Sequence, residues 1–265
     1  MNLLILASLA LALLGVLWLA QWAAVRWAGE GHVWALPFRH GSDSQKIRGV
    51  MKLALGASVV ALLAGYPLLI GEDPIQYHVD KLTPPRFGLA LKTLLAVFGA
   101  FAALFAVSVA VGWIHFEKRH DTSRLALKVL KGLWAPLPLT LMEEPLFRGL
   151  VLEQLAAEFA PWLAVILSAA IFAAVHFLRP QKRPLLAAVG LFYVGLALGA
   201  SYLLAGHNYL LPVAVHAAGV LFIQVTRPVC RYVGPAWLIG RSSYPIAGVL
   251  NMAAVTVAFV LVMLM

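Results

Sequence analysis

Residues 3–20 run without a single charged side chain, and seven more apolar stretches follow along the 265-residue chain. A bilayer core about 30 Å thick needs about 20 apolar residues per crossing helix. The eight stretches lie near 3–25, 50–70, 89–115, 133–157, 162–178, 185–204, 209–226 and 244–264. They leave room for short loops and for no separate soluble domain. The chain is 62% hydrophobic and 12% charged, against roughly 45–50% and about 25% in a soluble domain. That excludes a soluble enzyme, a disordered chain and a nucleic-acid module. The expected fold is all-α, a polytopic membrane protein of about eight transmembrane helices. Residues 3–20 lack the basic flank of a cleavable signal, so they read as a retained first helix.

The net charge of +9 belongs to topology. Excess Lys and Arg mark cytoplasmic loops. With the N-terminus outside, sixteen basic residues fall on one side and only Lys81, Arg86 and Lys92 on the other. Arg148 lies inside a stretch. The alternation supports eight crossings with both termini outside, and the short loops suit a bacterial plasma membrane. The loops 29–44, 71–86 and 179–184 carry the Gly, Pro and charged residues of turns. Cys230 is the only cysteine, so neither an internal disulfide nor a thiolate metal cluster can form.

Five ionisable residues stand where a membrane disfavours them: Glu143, Glu144, Arg148, His176 and His216. Each costs roughly 2.5–3.5 kcal/mol at a helix centre. Glu144 and Arg148 are four apart and can pair on one helix face. Glu143 points about 100° away and must find a partner on another helix, a proton, a metal or water. Counting at 1.5 Å per residue puts Glu143 and His216 about 15 Å from the inner surface and His176 about 5 Å from it. All three can then line one cavity. A carboxylate in such a cavity is a competent base towards water, and a histidine can orient that water or ligate a metal. A second donor can stabilise the oxyanion of a tetrahedral intermediate. One Glu with two His also matches a zinc ligand set with an open position. A metal site on Glu143, His176 and His216 and a metal-free glutamate base both remain open.

The sequence Glu143-Glu144-x-x-x-Arg148-Gly149, then Phe172-x-x-x-His176, then His216 two stretches later, resembles the three-motif pattern of the CPBP family. These are the CAAX proteases and bacteriocin-processing enzymes, also called Abi. The resemblance covers about 133–226, a core flanked by 1–132, with the first three helices, and 227–265, with the last one. It implies an intramembrane endopeptidase, a hydrolase acting on a membrane-associated peptide or protein. By carry-over, Glu143 and His176 activate water, and His216 stabilises the oxyanion or joins a metal site. Glu144, Arg148 and Phe172 are supporting residues. Val220 stands where family members often carry Asn, four positions after the third-motif histidine. The remaining candidate donors are Asn208 and Asn251. This departure keeps a second reading open, a non-catalytic membrane scaffold or immunity protein. A proton-coupled transporter is a third reading, because buried Glu and His also build proton relays.

Overall fold

The computed structural model describes residues 2–29, 45–84, 86–117, 122–177, 185–241 and 245–263. It is an all-α polytopic membrane protein. Helices α1 (Asn2–Trp27), α2 (Gln45–Leu69) and α4 (Phe87–Ala110) come first, with the short α3 (Pro74–Asp80) between the last two. Next is a nearly unbroken helical run of α5 (Thr122–Trp134), α6 (Pro136–Glu144), a π-helical segment (Pro145–Leu152) and α7 (Glu153–Glu158). Helices α8 (Pro161–Phe177), α9 (Leu185–Leu204) and α10 (Leu210–Thr226) complete the core, and α11 (Ala236–Ile239) and α12 (Val249–Met263) close the chain. Five helical stretches are long and apolar enough to cross a membrane, and three shorter apolar helices accompany them.

Several boundaries differ from those read in the sequence. The third stretch, expected to reach 115, stops at Ala110. Gly112 takes φ +78, and the amides of Gly112 and Trp113 bond back to the carbonyls of Val109 and Ser108. This closure of a helix by a left-handed glycine is the Schellman arrangement. It turns Ile114–Phe116 into strand β1, which pairs antiparallel with β2 (Cys230–Tyr232). The fourth stretch, expected from 133, begins at Thr122, because the basic residues that looked like a loop lie along one helix face. The expected loop 71–86 contains α3, capped by the Asp73 carboxylate on the Gln76 amide. The last helix begins at Val249 rather than 244, after a turn of 3₁₀-helix at Pro245–Ala247. The expected loops 29–44 and 179–184 fall largely outside the described residues.

Small residues bring the central helices together. In α9, a Cβ on Gly195 would lie 2.9 Å from the Ala169 Cα, and one on Gly199 would lie 3.1 Å from Val165. This Gly-x-x-x-Gly spacing lets α8 and α9 approach backbone to backbone, where packing replaces the hydrophobic drive that lipid cannot supply. On the other side, Phe222 of α10 stacks on Phe101 of α4 at 5.4 Å between ring centres. Val97, Leu198, Val215 and Ala258 fill the same buried cluster. Together these contacts fix α8 against α9 and α10 against α4 and α9, so the two helices that carry the histidines are held in one packed group.

Candidate active site

Pro145 has no N–H to give the Leu141 carbonyl, and its ring crowds the preceding turn. The helix responds by widening into the π segment directly after Glu144. Such a segment leaves carbonyls in search of donors, and side chains from elsewhere supply them. Ser168 Oγ donates to the Phe147 carbonyl at 3.4 Å, and Tyr77 Oη donates to the Gly149 carbonyl at 2.5 Å. π segments of this kind occur frequently at functional sites.

The widened helix presents two neighbouring carboxylates in different surroundings. Glu144 is fully buried. Its Oε1 accepts from His216 Nδ1 at 2.6 Å, and its Oε2 lies 3.2 Å from Arg148 Nε. The Arg148 guanidinium, also buried, sits 5.0 Å from the centre of the Phe172 ring and sends Nη2 to the Gly195 carbonyl at 3.4 Å. Glu143 instead turns its Oε2 toward two imidazoles, 3.9 Å from His176 Nε2 and 3.8 Å from His216 Nε2. Phe172 packs edge-on to Phe147, lies against the His176 ring at 4.4 Å and forms an apolar wall beside both histidines.

The tautomers follow from the partners. His176 Nδ1 faces the Phe172 carbonyl at 2.8 Å and His216 Nδ1 faces the Glu144 carboxylate. Both partners only accept, so both Nδ1 atoms carry hydrogen. In the neutral imidazoles each Nε2 then turns a lone pair toward Glu143. The gap of nearly 4 Å is too wide for a direct hydrogen bond, and it suits a small molecule that donates to both sides.

The structure therefore brings Glu143, His176 and His216 together, with Glu144, Arg148 and Phe172 behind them. The depth count is corrected. His176, expected about 10 Å shallower, reaches the same carboxylate oxygen as His216. The helix carrying Glu143 starts at Thr122 rather than 133 and widens directly after Glu144. Asn208 and Asn251 do not supply a donor here. Asn208 Nδ2 donates to the Pro84 carbonyl, and Asn251 Nδ2 donates to the carbonyls of Ile239 and Pro245. For a metal, the donor types would suit zinc. Their spacing does not fit, since no three His, Cys, Asp or Glu side chains among the described residues are arranged to hold an ion.

Sequence reasoning left a second polar cluster unassigned. Ten residues after Glu143, Glu153 Oε1 accepts from Tyr202 Oη at 2.5 Å and meets His207 Nδ1 at 2.6 Å. Tyr209 stacks on Tyr202 and faces His78 Nδ1 at 3.2 Å. Burial holds the His78 pKa below the ordinary histidine range, with the Leu63 carbonyl opposing that shift. Gly149 is what lets Tyr209 in, because a Cβ there would lie 1.9 Å from its hydroxyl. The usable signals were Gly149 directly after Arg148 and a carboxylate within an apolar stretch, near its end, at Glu153.

Residues 125–222 match the model of the Rce1-like family, described as type II CAAX prenyl endopeptidase Rce1-like. That range contains all six candidate residues and bears out the resemblance carried by the three motifs. No curated protein and no solved structure matches the chain.

Proposed function

We propose that this chain is an intramembrane endopeptidase that hydrolyses a peptide bond of a membrane-associated peptide or protein, with Glu143 as general base. The observation that carries this reading is the Glu143 carboxylate set opposite two Nε2 atoms at 3.9 and 3.8 Å. A water in that gap gives one hydrogen to Glu143 and the other to His176. Its lone pair is then left for the scissile carbonyl. As the C–O bond forms, Glu143 takes the proton and the carbonyl oxygen becomes an oxyanion. His216 lies beside that oxyanion; a proton taken from solvent at Nε2 makes it a donor there, while Glu144 holds its Nδ1–H and balances its charge. The intermediate collapses as Glu143 passes its proton to the leaving nitrogen, which yields a carboxylic acid and an amine; the acid's proton then passes to the amine, leaving a carboxylate and an ammonium group, with Glu143 again ionised. Phe172 keeps water away from the pair of rings, and Arg148 balances the charge of Glu144 and holds it in place. The Rce1-like match supports a membrane-associated protein substrate. The distribution of basic residues supports a seating with both termini outside, and the short loops suit a bacterial plasma membrane.

The test is cleavage of a peptide library by protein in liposomes, comparing wild type with Glu143→Ala, His176→Ala and His216→Ala. General-base and oxyanion contributions are each worth about 10²–10⁴ in rate, so each variant should lose at least about a hundredfold. Unchanged processing in all three overturns the assignment. Loss of cleavage on chelation, restored by a divalent ion, would put a metal among these donors instead.

The second reading, a non-catalytic scaffold or immunity protein, is favoured by Val220 together with the commitment of Asn208 and Asn251 to local carbonyls. If a missing oxyanion donor limits the protein, Val220→Asn raises turnover. If His216 suffices, it changes nothing.

A further inference from the structure

We propose that Tyr209 is a positioning residue for His216, setting the register of α10 against the helical run that carries Glu143 and Glu144. Its effect on rate rests on the hydrolytic reading, and its effect on His216 rests on geometry alone. Tyr209 already has helical backbone angles at the start of α10. His216 follows seven residues later, about 10 Å along the axis and about 20° short of two full turns. Both side chains therefore leave α10 on one face. That face runs antiparallel along the Glu143 run. Tyr209 meets Gly149, His216 meets Glu144, and Gln224 meets Gly132.

The first of these contacts is a notch. A Cβ on Gly149 would lie 1.9 Å from the Tyr209 hydroxyl oxygen and 2.8 Å from its Cζ. Gly149 is the one residue without a Cβ in the π segment Pro145–Leu152. A ring seated there cannot slide along the segment without meeting a side chain. At the far end, a Cβ on Gly132 would lie 3.1 Å from the Gln224 Cβ.

Tyr209 is also held from behind. Pro67 has no N–H for the Leu63 carbonyl, and His78 Nε2–H donates to that carbonyl at 3.0 Å. His78 Nδ1 is then an acceptor, and the Tyr209 hydroxyl donates to it at 3.2 Å. The Tyr209 ring stacks on Tyr202 of α9 at 5.7 Å, and its amide donates to the Lys81 carbonyl at 2.9 Å. Contacts from α2, α3 and α9 thus converge on one buried side chain at the start of α10. His216 Nε2, by contrast, stands 3.8 Å from Glu143, where no direct bond opposes a shift of the helix. A slip of one residue moves α10 by about 1.5 Å, and a misplacement of about 1 Å can cost about a hundredfold in rate.

The test uses full-length protein with ¹⁵N-labelled histidine in liposomes at about pH 8, above the ordinary histidine range. The His216 ring signals are identified by their loss in His216→Gln. Wild type should show one tautomer, with hydrogen on Nδ1. Tyr209→Leu should convert it to a mixture and lower kcat at least about tenfold, with KM within about twofold, on the best-cleaved peptide of the library. Tyr209→Phe keeps the ring over Gly149 and should recover the single tautomer. Gly149→Ala, which pushes the same ring from the other side, should disturb the His216 signals as Tyr209→Leu does. A merely structural tyrosine would lower the melting temperature and leave those signals in place. Unchanged His216 signals in folded Tyr209→Leu and Gly149→Ala proteins overturn the proposal, whatever the rate, and so does a disturbed His216 with full turnover. If wild type cleaves no peptide, the hydrolytic reading fails, and the His216 signals still decide whether Tyr209 positions that ring.

Discussion

The Glu143 and Glu153 clusters lie about 15 Å apart along one helical run and use the same residue types in opposite ways. Around Glu153 the distances are those of formed bonds, 2.5 Å to Tyr202 and 2.6 Å to His207. Around Glu143 the two imidazoles stop at nearly 4 Å, with their second nitrogens already committed to Phe172 and Glu144. The first arrangement holds helices together. The second keeps two ring nitrogens facing one carboxylate oxygen at nearly 4 Å. Glu144 stands between the two kinds of site. It is fixed as tightly as Glu153, yet its bond to His216 sets which nitrogen faces Glu143.

This contrast predicts that neighbouring carboxylates fail differently. Glu144→Ala would leave Arg148 buried without its counter-charge, a loss of about 3–5 kcal/mol. The melting temperature in detergent would fall accordingly. A variant that melts within a degree of wild type would break the structural half of the comparison. Gly149→Ala comes next. Its Cβ meets a buried tyrosine that is stacked on another and cannot retreat, so about 1–3 kcal/mol should be lost. Tyr77→Phe removes one hydroxyl and leaves the Gly149 carbonyl without that donor, at about 1 kcal/mol. Hydrogen exchange at 145–152 should rise about fivefold, while α8 should not change. An equal rise in both would show that the Tyr77 bond does not act on the π segment.

The parts legible in the sequence were those that membrane physics makes expensive. Apolar stretches announce crossing helices, and Glu143, His176 and His216 stand out because lipid penalises them. The less legible parts depend on local geometry. A glycine ended the third stretch inside an apolar run, where hydropathy reports no change. The α5 charges looked like a loop, although their spacing of four and three is helical. The π segment follows from Pro145, whose effect a count of straight helical turns conceals. Tyr77, Tyr202 and Tyr209 come from three separate elements, and nothing in their spacing announces that they meet near Gly149 and Glu153.

The central claim is that Glu143 is held for chemistry and not for stability. Glu143→Gln keeps the shape and removes the base. Peptide cleavage in proteoliposomes, measured beside the melting temperature of the same preparation, tests it most directly. The account predicts a rate loss of about 10²–10⁴ with melting nearly unchanged. Wild-type cleavage rates in a normally folded Glu143→Gln protein would contradict it.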